Sequence, residues 1–277
     1  MKTTASPATT GTKTPRFLIC ITWLFLTACL LLPIVLVFQY AFSAGIGRYF
    51  ASFATSDARS AIGLSVITAL IVVPINTVFG VALAWSIAKF EFRGKNLLMT
   101  VLDIPFAVSP VIAGMMLILL FGSRGLLGPW LQEIGVRIVF ARPGVILATL
   151  FVTFPFVARE LIPLMHSQGS EAEVSALSLG ANGFQSFFRV TLPNIKWGLL
   201  YGVLLTNARA FGEFGAVSVV SGHIRGLTNT VPLHVEILFN DYQFAASFAV
   251  ASLLVLLGLV TLVIKIIAES KEAQYGH

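Results

Sequence analysis

The sequence predicts an all-α polytopic membrane protein with six transmembrane helices. Three observations carry that expectation. The 277 residues are 57% hydrophobic and only 11% charged, against about 25% charged in soluble domains. Mean hydropathy is +0.90, which is more apolar area than a water-soluble fold could place inside. Six mostly apolar runs of about 20 residues or more each meet the length that spans about 30 Å of hydrocarbon.

Taken in order, residues 1–15 are rich in Thr, Ala, Ser and Pro and read as a disordered terminus. The first apolar run, 17–42, is longer than the ~7–15-residue core of a signal peptide. It reads as a retained signal-anchor helix. Cys20 and Cys29 both fall within it and read as small buried or lipid-facing residues, not as a disulfide or metal site. The remaining runs are 61–89, 97–121, 145–165, 197–220 and 244–267. The third contains Asp103, Pro105, Ser109 and Pro110. Proline inside a spanning helix frees a carbonyl that neighbours must satisfy, so this run is the one to kink or break. Such a break lies beside a pathway or is a packing kink, and the sequence leaves both open. The organisation is then a six-helix membrane domain over 16–268, a polar loop at 168–196 and a tail over 269–277.

Orientation follows from the cations. With the N-terminus inside, Lys89, Arg93, Lys95, Arg159, Arg189 and Lys196 share its side, whereas Arg48, Arg59, Arg124, Arg137, Arg142 and Arg225 lie opposite. The bias favours both termini in the cytoplasm. The net charge of +6 is thereby sorted by membrane side and calls for no nucleic acid.

The polar loop is organised. Ser170 to Glu173 fits a capping box, S-x-x-E, with both acids in the first turn. Gly180 fits the residue just past a helix end. Asn182 to Gln185 repeats the capping logic for a second helix, and Phe184, Phe187 and Phe188 give it an apolar stripe. Pro193 reads as its stop. An interfacial helix pair and a protein dock both fit these residues. In the fifth run, Arg209 and Glu213 stand four apart beside Asn207. Ionisable groups at this depth are functional candidates. An ion pair that pins helix packing and an arginine facing an anion pathway both fit. Asp103 reads either as an interfacial residue at its helix end or as a pathway group.

Residues 173–182, E-V-S-A-L-S-L-G-A-N, followed by R-V-T-L-P at 189–193, resemble the "EAA" loop of bacterial ABC importer permeases. Val174 and Ser175 stand where that family usually has Glu and Ala. Residues 204–222, L-L-T-N-A-R-A-F-G-E-F-G-A-V-S-V-V-S-G, are similar to the sulfate/thiosulfate branch, and D-I-P-F-A-V-S-P-V-I-A-G at 103–114 matches the same branch. The R-x-x-G-E-F-G core is shared with molybdate permeases, whereas T-N-A and V-S-V-V-S-G look like the W-type sulfate subunit.

The resemblance implies the type I ABC importer permease fold with a cytoplasmic coupling helix that seats in a groove of an ATPase subunit. It implies coupling through Glu173, Ala176, Gly180, Phe184, Phe187 and Phe188, and pathway or gate roles for Arg209, Glu213, Asn207 and Asp103. The implied partners are a second homologous permease subunit, two ATPase subunits, a periplasmic sulfate-binding protein and the bilayer of a bacterial inner membrane. ATP and Mg would be bound by the partner ATPase and no cofactor by this chain. Consistent with that division, the only Gly-Lys, Gly94-Lys95, lacks the rest of a phosphate loop. Competing readings are a permease for another oxyanion such as molybdate, an ATP-independent secondary anion transporter and a membrane scaffold. Paired broken helices would mark the secondary transporter, and the sequence shows no such symmetry.

Overall fold

The computed structural model describes residues 16–275, with side chains from 18 to 267. The terminus expected to be disordered, 1–15, lies outside the described residues. Among the described residues every regular element is helical.

The first run forms α1, Leu18–Phe42, with a π-bulge at Thr27–Leu31. Pro33 follows the bulge, and the widened turn accommodates the carbonyl that a proline leaves unbonded. Most of α1 stands clear of the bundle, and its exposed apolar side chains suit lipid. A short amphipathic helix, α2, Ile46–Ala54, leads into α3, Ser56–Lys89. Thr55 caps α3 by accepting a hydrogen bond from the Ala58 amide at 3.2 Å. Asp57 in its first turn and Lys89 in its last complement the helix dipole.

The third run breaks, as its prolines suggest, into α4, Lys95–Ala107, and α5, Pro110–Phe121, whose axes differ by 108°. Val108 and Ser109 are extended, because a residue preceding proline is driven out of the helical region. After α6, Gly128–Glu133, the fourth run forms α7, Arg142–Gln168. The polar loop contains α8, Glu171–Ser178, and a second helix, α9, spanning 183–194 with a π-bulge at Phe187–Thr191. Pro193 does not stop the helix as the sequence reading expects. The π-bulge at Phe187–Thr191 precedes it, and the widened turn accommodates the carbonyl that the proline leaves unbonded. The chain stays near helical through Ile195 into α10, Lys196–Phe211.

The fifth run is also broken, with a bend of 47° between α10 and α11, Gly215–Ser221. The sequence reading finds no pair of broken spans, and the structure contains two. A further helix, α12, Val231–Asn240, occupies a stretch read as loop. The last helix, α13, Phe244–Tyr275, runs past the expected span end at 267.

Helix α7 organises the core. Its N-terminal half, with Val145, Ala148 and Val152, packs on Ala216, Val217 and Val220 of α11 and Leu233 of α12. Its other half, with Val157, Leu161 and Met165, packs on Val81 and Ala84 of α3 and on Ile195. The two halves therefore tie the polar loop and the α10–α11 break to one central helix.

Candidate coupling loop and intramembrane charge site

Helix α8 ends as its sequence suggests. Gly180 adopts φ +91°, and the Ala181 amide donates to the Ala176 carbonyl and the Gly180 amide to the Leu177 carbonyl, both at 3.0 Å. This is the 6→1 and 5→2 pair of a Schellman ending. The second capping box forms as expected. Asn182 Oδ1 accepts from the Gln185 amide at 2.8 Å, and Gln185 Oε1 accepts from the Asn182 amide at 3.0 Å.

The first capping box does not form. Ser170 makes no side-chain cap. Glu173 instead turns inward, where its Oε1 lies 2.8 Å from Lys89 Nζ and accepts from Thr191 Oγ1 at 3.1 Å. A charge-assisted pair outweighs a neutral amide donor. Lys89 Nζ also donates to the Gly169 carbonyl. Burial pushes the Glu173 pKa up, but the Lys89 hydrogen bond, its own backbone amide, the Lys89 charge and Thr191 together hold the carboxyl below the usual 4.5. One carboxylate thus joins three elements: α8, the end of α3, and the π-bulge of α9. Gln168 Nε2 closes the base of the loop by donating to the Asn194 carbonyl at 3.1 Å.

Of the Phe stripe, Phe187 turns inward, whereas Phe184 and Phe188 stay exposed. Phe187 lies 4.9 Å from the Trp85 ring of α3. Phe184, Phe187 and Phe188 line an apolar cavity of about 490 Å3 shared with Thr77, Val81 and Leu199. Phe184 keeps most of its surface exposed. The outward apolar surface of α8 comes from Val174 and Leu177, with Leu179 at 90% exposure beside Gly180. Ala176 is half-buried.

Sequence reasoning missed Lys89 and Thr191 as loop residues. Lys89 is 84 positions from Glu173, and a lone cation at a span end carries no signal of such a contact. The Thr in R-V-T-L-P was visible but unassigned.

The second candidate site lies at the α10–α11 break. Arg209 Nη1 sits 2.6 Å from Glu213 Oε2, with side-chain exposures of 31% and 0%. Glu213 is not on the same helix as Arg209, as the four-residue spacing suggests. It lies in the break, and its Oε1 accepts from the Ala216 amide of α11 at 2.9 Å. The carboxylate thereby supplies an acceptor that the interrupted helix lacks, and it favours the interruption. Glu213 is a buried structural group, whereas the Arg209 guanidinium keeps an open edge. Asn207 is half-buried on α10.

The two breaks meet. A Cβ at Gly215 would lie 2.9 Å from Pro110 Cβ, and one at Gly114 would lie 2.7 Å from the Ala216 carbonyl. Glycine at both positions lets α5 and α11 touch backbone to backbone. Asp103 lies elsewhere, on α4. Its Oδ1 is 3.0 Å from Arg159 Nη2 of α7, and the Arg159 guanidinium also covers the Phe106 ring at 4.6 Å. Both charged groups are about half exposed. Asp103 is therefore ion-paired within its bundle and is separate from the Arg209 pair.

Comparison with known proteins gives a consistent result. Residues 77–271 match the family described as binding-protein-dependent transport system inner membrane component. The chain is 54% identical over 249 residues to the sulfate transport system permease protein CysW of Escherichia coli strain K12, covering 90% of this chain and 86% of that protein. It is 49% identical over 265 residues to CysW of Synechocystis sp. strain PCC 6803, covering 96% and 95%. A chain in the crystal structure of a bacterial alginate ABC transporter, in complex with its alginate pentasaccharide-bound periplasmic protein, superposes with a TM-score of 0.76. That match covers 94% of this chain and 93% of that one at 17% identity, and it concerns the fold.

Proposed function

This chain belongs to the family of binding-protein-dependent transport system inner membrane components, and we propose that it is the membrane permease of a sulfate importer. The likeness to CysW over nine-tenths of the chain supports sulfate as the cargo. Its partners are a periplasmic sulfate-binding protein, a second homologous permease that supplies the other half of the pathway, and two ATPase subunits that bind ATP and Mg. Both termini and the 168–196 loop face the cytoplasm, the side on which ATP is hydrolysed.

The observation that carries the coupling mechanism is the Glu173 junction. Helix α8 presents Val174, Leu177 and Leu179 outward, where an ATPase groove would take them. On its inner side Glu173 fixes α8 to Lys89 and Thr191. A push on α8 is therefore shared between α3 and the α9–α10 rod, not absorbed by a soft loop. At 1.5 Å per residue, α10 carries that motion about 24 Å. It arrives at the α10–α11 break, where Arg209 is anchored by Glu213. In this reading the break is the hinge of a gate, and the open edge of Arg209 offers positive potential to a passing dianion. Glu213 keeps that potential from becoming a deep trap. The half-exposed Asp103–Arg159 pair supports assigning this face to the second permease, since ionisable groups within a span rarely face hydrocarbon.

Uptake of labelled sulfate in a strain lacking this chain tests the proposal. Restoring the chain is expected to restore uptake, and excess unlabelled sulfate to compete better than molybdate. Equal uptake with and without the chain, or preferential competition by molybdate, contradicts it.

A further inference from the structure

A mostly apolar cavity of about 490 Å3, carrying a few polar groups, opens where the first and last spans end on the same side of the bundle. Its position is fixed twice over. Arg48 and Ser52 belong to α2, which begins four residues after α1 ends at Phe42. Tyr242 and Gln243 immediately precede α13 at Phe244. Both flanks are span ends, so the cavity lies at the headgroup level of the bilayer. The Tyr40–Phe248 stack, with ring centroids 5.1 Å apart, joins α1 to α13 along the seam below it.

The chemistry of the lining is that of a phosphate site with an apolar floor. Arg48 is its only cation, no carboxylate lines it, and Ser52, Thr55 and Gln243 add polar groups. Among the described residues, Arg48 has no acidic partner. The floor is made of small apolar residues of α1, α2 and α13, which leave room for the upper part of an acyl chain. Tyr242 lines the rim at φ +60°, a strained conformation for a residue with a Cβ. Tyr242 is 82% exposed. Tyrosine is enriched at this depth because its ring is apolar and its hydroxyl wet.

We propose that this cavity is a phospholipid headgroup site, in which the Arg48 guanidinium holds the phosphodiester of an anionic lipid and Tyr242 covers it. The guanidinium fork matches two phosphate oxygens. The proposal concerns the α1–α13 seam and does not depend on which anion the protein carries.

The test uses the purified, delipidated transporter complex containing this full chain. Phosphatidylglycerol is titrated in detergent and bound lipid is counted by native mass spectrometry. Arg48→Gln is expected to weaken the tightest bound lipid about tenfold, or ~1.4 kcal/mol, and Arg48→Lys to weaken it less. Arg59→Gln is expected to leave it unchanged, because Arg59 caps the Ala54 carbonyl outside the cavity. Tyr242→Gly relieves the backbone strain yet removes the ring, so it should weaken lipid binding without lowering the melting temperature in lipid-free detergent. Unchanged lipid affinity in Arg48→Gln overturns the proposal. So does displacement of the lipid by millimolar sulfate, which would identify a free-anion site instead.

Discussion

Replacing Lys89 by methionine breaks the junction on which the coupling reading depends. The Lys89 side chain is 7% exposed and that of its partner Glu173 16%, with the charged atoms 2.8 Å apart. At an effective dielectric of about 20, the gross attraction at that distance is about 6 kcal/mol. Desolvation of both groups removes most of it. Exposed pairs contribute about 0–1 kcal/mol, and breaking a fully buried pair costs about 3–5 kcal/mol. This pair lies between, so Lys89→Met should cost about 2 kcal/mol. The Gly169 carbonyl loses its donor in the same step. If that free energy holds α8 to α3 during the ATPase stroke, its loss shifts the balance of coupled and slack arrangements by roughly 30-fold. The assay is sulfate moved per ATP hydrolysed in proteoliposomes, alongside the melting temperature. ATP hydrolysis should persist while transport per ATP falls. The double variant Lys89→Met with Glu173→Leu should lose about 1–2 kcal/mol less stability than the sum of the single losses implies. Unchanged transport per ATP in Lys89→Met, or strictly additive single effects, would show that this junction does not transmit the ATPase stroke.

Three further outcomes follow from the same geometry. The folded pKa of Glu173 lies below its ordinary 4.5, so its stabilisation is fully present above about pH 4.5 and is lost as pH falls through the lower folded value. The melting-temperature gap between wild type and Glu173→Gln should accordingly close only on the acid side of pH 4.5. Gly180→Ala meets no neighbouring atom but must adopt φ +91°, costing about 1–2 kcal/mol. A comparably lower melting temperature, with looser ATPase association on copurification, is the expected result. Arg209→Gln leaves Glu213 buried and unpaired, at about 3–5 kcal/mol, and adding Glu213→Gln should recover expression but not sulfate uptake. Normal uptake by the double variant would remove Arg209 from the pathway.

The spans were legible because each is a long apolar run, and the second loop helix because Asn182 and Gln185 bond only to each other's backbone. The Schellman ending at Gly180 was legible for the same reason, since it needs no distant partner. The first capping box was misread because Glu173 had a better partner in Lys89, which folding brings from 84 residues away. Likewise, the i, i+4 spacing of Arg209 and Glu213 correctly paired them but concealed the break, because Glu213 takes the Ala216 amide out of a continuous helix. Ser109-Pro110 announced a break without its angle. That angle depends on Gly114 and Gly215 letting α5 and α11 approach. The Phe stripe at 184, 187 and 188 was legible as apolar, but which surface it meets depends on Trp85, on another helix.

Sequence, fold and family converge on a permease of an ATP-driven sulfate importer. That role is tested most directly by labelled sulfate uptake into proteoliposomes holding the chain with its second permease, its ATPase and the sulfate-binding protein. Uptake should require both ATP and the binding protein, and should fall per ATP in Lys89→Met. Uptake driven by an ion or sulfate gradient without ATP would contradict it.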